Sequence, residues 1–548
     1  GKWNFEGRLS RLNSDGFIDR ASSNLSSYYL SGSYLGKKTS IQSVVFSGHE
    51  KTYQAWEGTP LQVLDTNKTF NPYTYDNQID NYTQTHYQLH VTNKPSKRLK
   101  LNASLHYTRG LGYYESYKED DSLSDYNLNN IVYTFPLDTL EISTSDIISR
   151  KLLDNHFYGI VYSAKYNADN FQFILGGGAN QYRGAHYGEV VWAQHASNGQ
   201  IRHRYYDNDA VKTDVNFFGK LNYNLNSKVS AYLDLQYRFV DYKLSGLEEG
   251  NVSVNDTINM NFFNPKVGFN YTVDKNSSLY GFAGIGNKEP NRTDITESIN
   301  TPTHENMVDI EFGYRYNSTR VSLIANLYNM QYKNQLILTG NVNDVGSPIR
   351  INVPNSFRRG LELTAAIKIN EKFNLRFNST LSQNKIVEFT EFIDDWDLEV
   401  QVEESHENTN IAFSPSIIGG GQLIFTPFNS SNKGKLDLAL VSKYVGEQYL
   451  DNTSSEFGRL DDYFVHDLRI NYCFKTKLFK EVVISSWVRN LLNQNYISNA
   501  WIYRFQAGSY ATSDPYVNTE DSSNGRYNMI GAYNQAGINF FLGLKLRF

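Results

Sequence analysis

Any chemistry in this chain must come from side chains gathered in its long polar segments. Residues 183–210 hold His195 and His203 beside Arg202, Arg204, Tyr205 and Tyr206. Arginine offers a planar fork to anions and tyrosine a stacking face. The cluster therefore suits contact with an anionic or aromatic ligand, although it reads more readily as a solvated loop. Residues 388–407 carry Glu391, Asp394, Asp395, Asp397, Glu399, Glu403 and Glu404. Their carboxylate oxygens could hold a divalent cation, although charge runs are commonly solvated faces. Four of the six tryptophans, Trp56, Trp192, Trp396 and Trp501, fall in such segments. An indole there is better placed for ligand contact than for folding. These tryptophans, with Arg202, His203, Arg204, Tyr205 and Tyr206, are the substrate-contact candidates.

Motifs for catalysis are missing. The stretch 32–38 (GSYLGKK) imitates a phosphate loop, but its spacing is one residue short and Lys38 stands where Ser or Thr is needed. It also lies in a strand-to-strand turn with no helix to follow. The glycine triplets 176–178 and 419–421 sit inside strand patterns, where glycine marks bends or close packing. No Gly-x-Ser-x-Gly elbow and no His-Glu-x-x-His pair occurs. The single cysteine, Cys473, excludes an intrachain disulfide and a cysteine-based zinc site. No cofactor or resident metal is expected, and the chain does not read as an enzyme.

The elements that must position these residues are strands. The chain has 548 residues, 20% charged and 14% aromatic, with 41 Tyr and 32 Phe but only 12 Pro and 4 Met. A net charge of −5 argues against nucleic acid as a partner. Mean hydropathy is −0.52, and no apolar run is long enough for a helical membrane span. Period-two alternation dominates instead. From Val229, the residues Val229, Ala231, Leu233, Leu235, Tyr237 and Phe239 make one apolar row against Ser230, Tyr232, Asp234, Gln236 and Arg238. Such rows exceed the five or six residues usual in a soluble sandwich.

The connections between strands alternate in kind. Short polar turns occur near residues 35–38, 93–97, 167–170, 224–228, 274–277, 317–320, 370–372, 427–434 and 475–480. Longer polar loops lie at 13–23, 56–82, 115–145, 183–210, 246–259, 287–303, 340–347, 388–410, 451–458 and 495–536. Aromatic residues such as Tyr166, Phe171, Tyr223, Tyr271, Phe373, Phe425 and Phe479 cluster near the short turns, at the level where amphipathic rings meet a membrane interface. The pattern predicts an all-β, transmembrane antiparallel β-barrel of about twenty strands, with short periplasmic turns and long extracellular loops. The final strand places Phe540, Leu542, Leu544, Leu546 and Phe548 on one row.

The chain resembles the barrel domain of a TonB-dependent outer-membrane receptor of the kind common in Bacteroidetes. The likeness is carried by NSDGF from Asn13, FNPKVGFNYTVDKNSSLYGFAGIGNKEPN from Phe263 and NSFRRGLEL from Asn355. Further matches are LDDYFVHDLRINY from Leu460, VRNLLNQNYISNAW from Val488 and the terminal FLGLKLRF. The resemblance implies a single barrel domain over residues 1–548. Complete members close with about twenty-two strands around a plug, so the N-terminal plug and first hairpin are expected to be absent from this chain. It further implies a multi-pass protein of the cell outer membrane, in contact with its lipids and lipopolysaccharide. Its strand ending at Phe548 resembles the signal read by the barrel-assembly machinery. The implied activity is import of a scarce small molecule or metal chelate, driven by the TonB complex acting through the plug. A ferric siderophore is the first expectation, followed by haem, cobalamin and oligosaccharide. The alternative is a passive porin-like or structural barrel. A membrane-embedded hydrolase lacks a convergent triad, and a soluble propeller would show blade repeats that are not visible.

Overall fold

The computed structural model describes every residue except 137, 297–301, 343–347, 432, 509–512 and 522. The expected loop 340–347 therefore falls largely outside the described residues, and the loops 287–303 and 495–536 do so in part. Among the described residues, 25 strands share one sheet, joined by two separate two-stranded ribbons. Their pairing is antiparallel throughout, apart from a two-residue parallel contact of Asp394 and Asp395 with Phe505 and Gln506. Five of the 25 are loop-end pieces: Thr59–Pro60, Val400–Asn410, Ile497–Gln506, Val517–Asp521 and Arg526–Asn534. The remainder are the roughly twenty long strands that alternation predicts.

The turns form for a local reason. Asn226 Oδ1 accepts hydrogen bonds from the backbone N–H groups of Lys228 and Val229. Asp274 does the same for Asn276 and Ser277, and Asn370 for Lys372 and Phe373. At residues 476–479 a Thr476 hydroxyl takes over the role. A short polar side chain that satisfies the two N–H groups ahead of it fixes the reversal without help from the rest of the fold. Aromatic pairs close these ends: Phe373 stacks on Phe425 with centroids 4.7 Å apart, and Phe479 meets Phe548 edge-on at 4.9 Å.

The chain divides into two units, each with the same two-faced strands. The first comprises Gly1–Trp56, Asn71–Tyr223 and Leu233–Asn264. In it Tyr87 and Leu89 are exposed on one row of Ile79–Asn93. The opposite row carries His86, hydrogen-bonded to Thr108, and His90, hydrogen-bonded to Ser104. The second unit comprises Glu57–Phe70, Asn224–Tyr232 and Pro265–Phe548. There Ile310 is 53% exposed while its neighbour Asp309 is only 6% exposed. Asn326 joins that polar row, accepting from Tyr280 and donating to Glu311. A water-soluble sheet buries its apolar row; these strands expose it.

The buried apolar residues collect at the long connections instead. In the first unit Leu123, Tyr126, Leu128, Ile147, Val190, Tyr205 and Tyr206 form a dry cluster. In the second, Leu450, Leu460, Ala500, Ile502, Ile530 and Ala532 form another, backed by Leu61 and Leu64. Two of the segments expected to be loops are thereby corrected. The region 183–210 is mostly ladder, because Phe171–Ala193 pairs with His203–Asn224. Likewise 388–410 is a hairpin of Phe373–Asp395 with Val400–Asn410. Once both faces of a ribbon are wet, its residues no longer need to alternate in polarity, although the backbone ladder continues.

The two glycine triplets differ. A side chain at Gly177 would collide with the backbone carbonyl of Asn216, whereas at Gly419 the nearest atoms stand 4.0 Å away. Gly177→Ala is expected to cost about 1–3 kcal/mol by overpacking and to reduce the folded, heat-modifiable band on unheated gels. Gly419→Ala is expected to leave that band unchanged.

Candidate functional site

The substrate-contact candidates occupy the long-connection ends, but they do not share one environment. In the first unit, Tyr205 is 2% exposed and Tyr206 is nearly as buried, their rings set edge to face at 5.1 Å. Tyr126 packs on Tyr205 at 4.8 Å. These rings hold the loop cluster together and present no open face. His203 Nε2 lies 3.0 Å from the carbonyl of Tyr126, which ties it to the same cluster. His195 donates its backbone N–H to Ser145. Arg202 and Arg204 reach the surface with their charges paired, to Glu189 at 3.1 Å and Asp207 at 2.6 Å. Arg204 also lies over the Tyr187 ring at 3.9 Å. Trp192 is 47% exposed, and Trp56 packs edge-on to Tyr114.

In the second unit Trp501 is nearly buried, donating its indole N–H to the carbonyl of Glu57 at 2.7 Å and stacking on Tyr516. Trp396 is 41% exposed and stacks on the fully buried Phe505 at 3.8 Å. Its N–H donates to Tyr503 Oη, which in turn donates to Asp394. Burial pushes the Tyr503 hydroxyl up to about 12, helped by that bond to Asp394.

The centre of this loop end is a group of charges that spacing alone does not reveal. Arg504 lies on Ile497–Gln506 and is mostly buried. Its guanidinium meets Glu520 at 2.9 Å, and Glu391 and Asp451 at 3.5 Å each. Asn528 also donates to Glu520. The second arginine, Arg526, pairs with Glu404 at 3.2 Å, and His406 meets Glu391 at 2.8 Å. Burial raises the Asp451 and Glu520 carboxyls, with Arg504 countering in both. Burial alone would lower the Arg504 pKa, but its three carboxylate neighbours outweigh that effect and raise it. The hydrogen bond that the Glu391 carboxylate accepts from His406 raises the imidazole pKa against its own burial. Of this group only Glu391 and Glu404 belong to the acidic run visible in the sequence. Arg504 and Glu520 come from the segment 495–536, more than a hundred residues downstream, and carry no pattern of their own.

Arg504→Met would leave Glu391, Asp451 and Glu520 facing one another without their shared cation. Removing one partner of a buried pair costs about 3–5 kcal/mol. The expected result is rapid protease cleavage within 388–410 and 495–536 in the folded protein. Cleavage no faster than in the native protein would contradict it.

The charges of this group are opposed, with Arg504 and Arg526 set against Glu391, Glu404, Asp451 and Glu520. Solved structures share this fold. The ferric-catecholate import receptor Fiu from E. coli K12, in its closed form, superposes with a TM-score of 0.67 at 12% identity. That match covers 100% of this chain and 78% of Fiu. The siderophore receptor PiuA from Acinetobacter baumannii gives 0.67 at 12% identity, covering 98% and 78%. The ferric citrate transporter FecA, unliganded, gives 0.65 at 14%, covering 98% and 73%. At such identities the likeness establishes the fold, that of a TonB-dependent receptor barrel. No curated protein matches the sequence significantly. The family model for the TonB dependent receptor-like β-barrel matches residues 19–491. The chain belongs to the TonB-dependent receptor-like β-barrel family, whose members reside in the outer membrane.

Proposed function

We propose that this protein imports a scarce solute across the outer membrane, energised by the TonB complex through the plug that members of the family carry. The observation that carries the reading is the exposed apolar row. Val308, Ile310 and Phe312 stand out from a strand whose other row is Asp309 and Glu311. Such a strand suits hydrocarbon on one side and a hydrated passage or polar plug on the other. A metal chelate of the ferric siderophore type is the first substrate, supported by the receptors that share the fold. Haem, cobalamin and oligosaccharide follow. Lipopolysaccharide and outer-membrane lipids would surround the strands, and the strand ending at Phe548 would engage the assembly machinery. A passive porin-like pore is the competing reading.

Within this proposal each unit offers its own exposed candidates for solute contact, Trp192, Arg202 and Arg204 in the first and Trp396 in the second. Tyr205 and Tyr206 hold the loops of the first unit, where Trp56 and His203 are further candidates, and Trp501 holds those of the second. The surface arginines already have carboxylate partners, so a solute must compete with an ion pair at each one.

Deleting the gene should abolish growth on one defined iron or vitamin source and leave growth on others intact. Restoring the gene with Trp192→Ala and Trp396→Ala together should lower uptake at limiting solute at least tenfold with normal surface abundance. Uptake that persists after the proton gradient is collapsed would favour the passive pore.

A further inference from the structure

The hairpin of Phe373–Asp395 and Val400–Asn410 sets Glu391 directly opposite Glu404, and Phe389 opposite His406. Residues two apart share a face of a strand, so Glu391, Glu404 and His406 lie together on one face. Two carboxylates facing each other across a ladder repel, so positive charge between them favours this register. His406 Nε2 is already 2.8 Å from Glu391 Oε2. One donor atom from each of the three residues lies within 4.8 Å of the others, the one such triad found among the described residues.

A second observation concerns the carboxylates gathered around Arg504. The Asp451 side chain is 6% exposed. Its Oδ1 accepts from the Thr453 backbone and hydroxyl, while its Oδ2 accepts no hydrogen bond. The nearest cation to Oδ2 is Arg504 Nε at 3.5 Å, well beyond the 2.7–2.9 Å typical of a charge-assisted bond. That same guanidinium is also 3.5 Å from Glu391. The unsatisfied oxygen therefore adds to the negative potential at the Glu391 corner. Among the described residues, Glu391, Glu404, Asp451 and Glu520 share Arg504 and Arg526 as their permanent cations. With every carboxylate ionised and His406 neutral, the group carries an excess of two negative charges.

We propose that Glu391, Glu404 and His406 form a binding site for a divalent transition metal of the zinc class, clasped between the two strands of this hairpin. One imidazole and two carboxylates match the donors such ions take, with three protein ligands and one position left for water or another ligand. Calcium, which takes six to eight oxygens, is a poor fit to a site with a nitrogen donor. Metal–ligand bonds of about 2.0–2.2 Å require the His406–Glu391 contact to open slightly. They also require Glu404 to turn inward. Glu404 is half-exposed, so it supplies both the mobile ligand and the route of entry. A bound dication supplies the two charges that the group lacks. The inference does not rest on the import reading, since it concerns binding to the folded loop end alone.

The test uses the untagged, folded full chain in detergent micelles, with Co2+ as the spectroscopic probe and Zn2+ and Ca2+ as competitors. The expected result is one saturable Co2+ per chain with a ligand-field spectrum of nitrogen and oxygen donors. Equimolar Zn2+ should displace it and tenfold excess Ca2+ should not. His406→Ala and Glu404→Gln should each weaken binding at least tenfold, with protease resistance confirming the fold. Glu371→Gln, on a fully solvated turn, is the control and should bind as the native protein does. Absence of saturable Co2+ binding, equal displacement by Ca2+, or unchanged affinity in both variants would overturn the proposal. Metal binding that survives in a transport-defective protein would separate this inference from the import reading.

Discussion

Hydrocarbon offers nothing to hydrogen-bond, and the rest of this structure follows from that constraint. A backbone that crosses a bilayer must pair every N–H and C=O within the protein. Long antiparallel strands meet the demand through ladders such as Leu99–Ser122 with Thr144–Asn167, which stay paired without a break from Leu99 with Tyr166 to Lys118 with Ile147. With the backbone satisfied, side chains are free to differ between the two rows. One row can be Leu, Phe, Tyr and Ile because lipid covers it. The other can carry His86, Asn326 and Asp309 because water or a polar segment faces it.

This arrangement reverses the usual placement of the core. A soluble domain gains stability by burying apolar side chains between its layers. Here the strands expose theirs, and the dry clusters form where the ribbons leave the membrane. Leu123, Tyr126, Ile147 and Tyr205 weld one set of connections. Leu450, Ile502 and Ile530 weld another. Loops with such anchors are ordered platforms, which suits recognition because a prearranged surface loses little entropy on binding. The charged group around Arg504 adds specificity of position to that platform. Its ion pairs are buried enough that each partner is needed by the others.

The sequence makes the strand architecture legible because two-sidedness imposes a period of two on every crossing segment. The turn chemistry at Asn226, Asp274 and Asn370 is local and equally readable. The loop ends are harder to read, for a physical reason. Above the hydrocarbon both faces of a ribbon are wet, so the alternation stops at about residues 183 and 388 although the ladders continue to Ala193 and Asp395. Residue type also misleads there. Tyr205 and Trp501 look like exposed ligand contacts, yet they are buried by partners distant in the chain. Arg504 attracts no notice in sequence because Glu391, Asp451 and Glu520 reach it only through the fold. Trp192 and Trp396 remain on the surface, as their polar surroundings suggest.

The most direct measurement of the central claim is the side-by-side accessibility of neighbouring residues on one strand. In a Cys473→Ser background, spin labels are placed singly at residues 308 to 312 of the protein in lipid bilayers. Collision with lipid-soluble oxygen is then compared with collision with a water-soluble nickel chelate. Oxygen should dominate at 308, 310 and 312 and the chelate at 309 and 311, in strict alternation. Chelate access at both rows, or labels at 308, 310 and 312 shielded from both agents, would contradict the account.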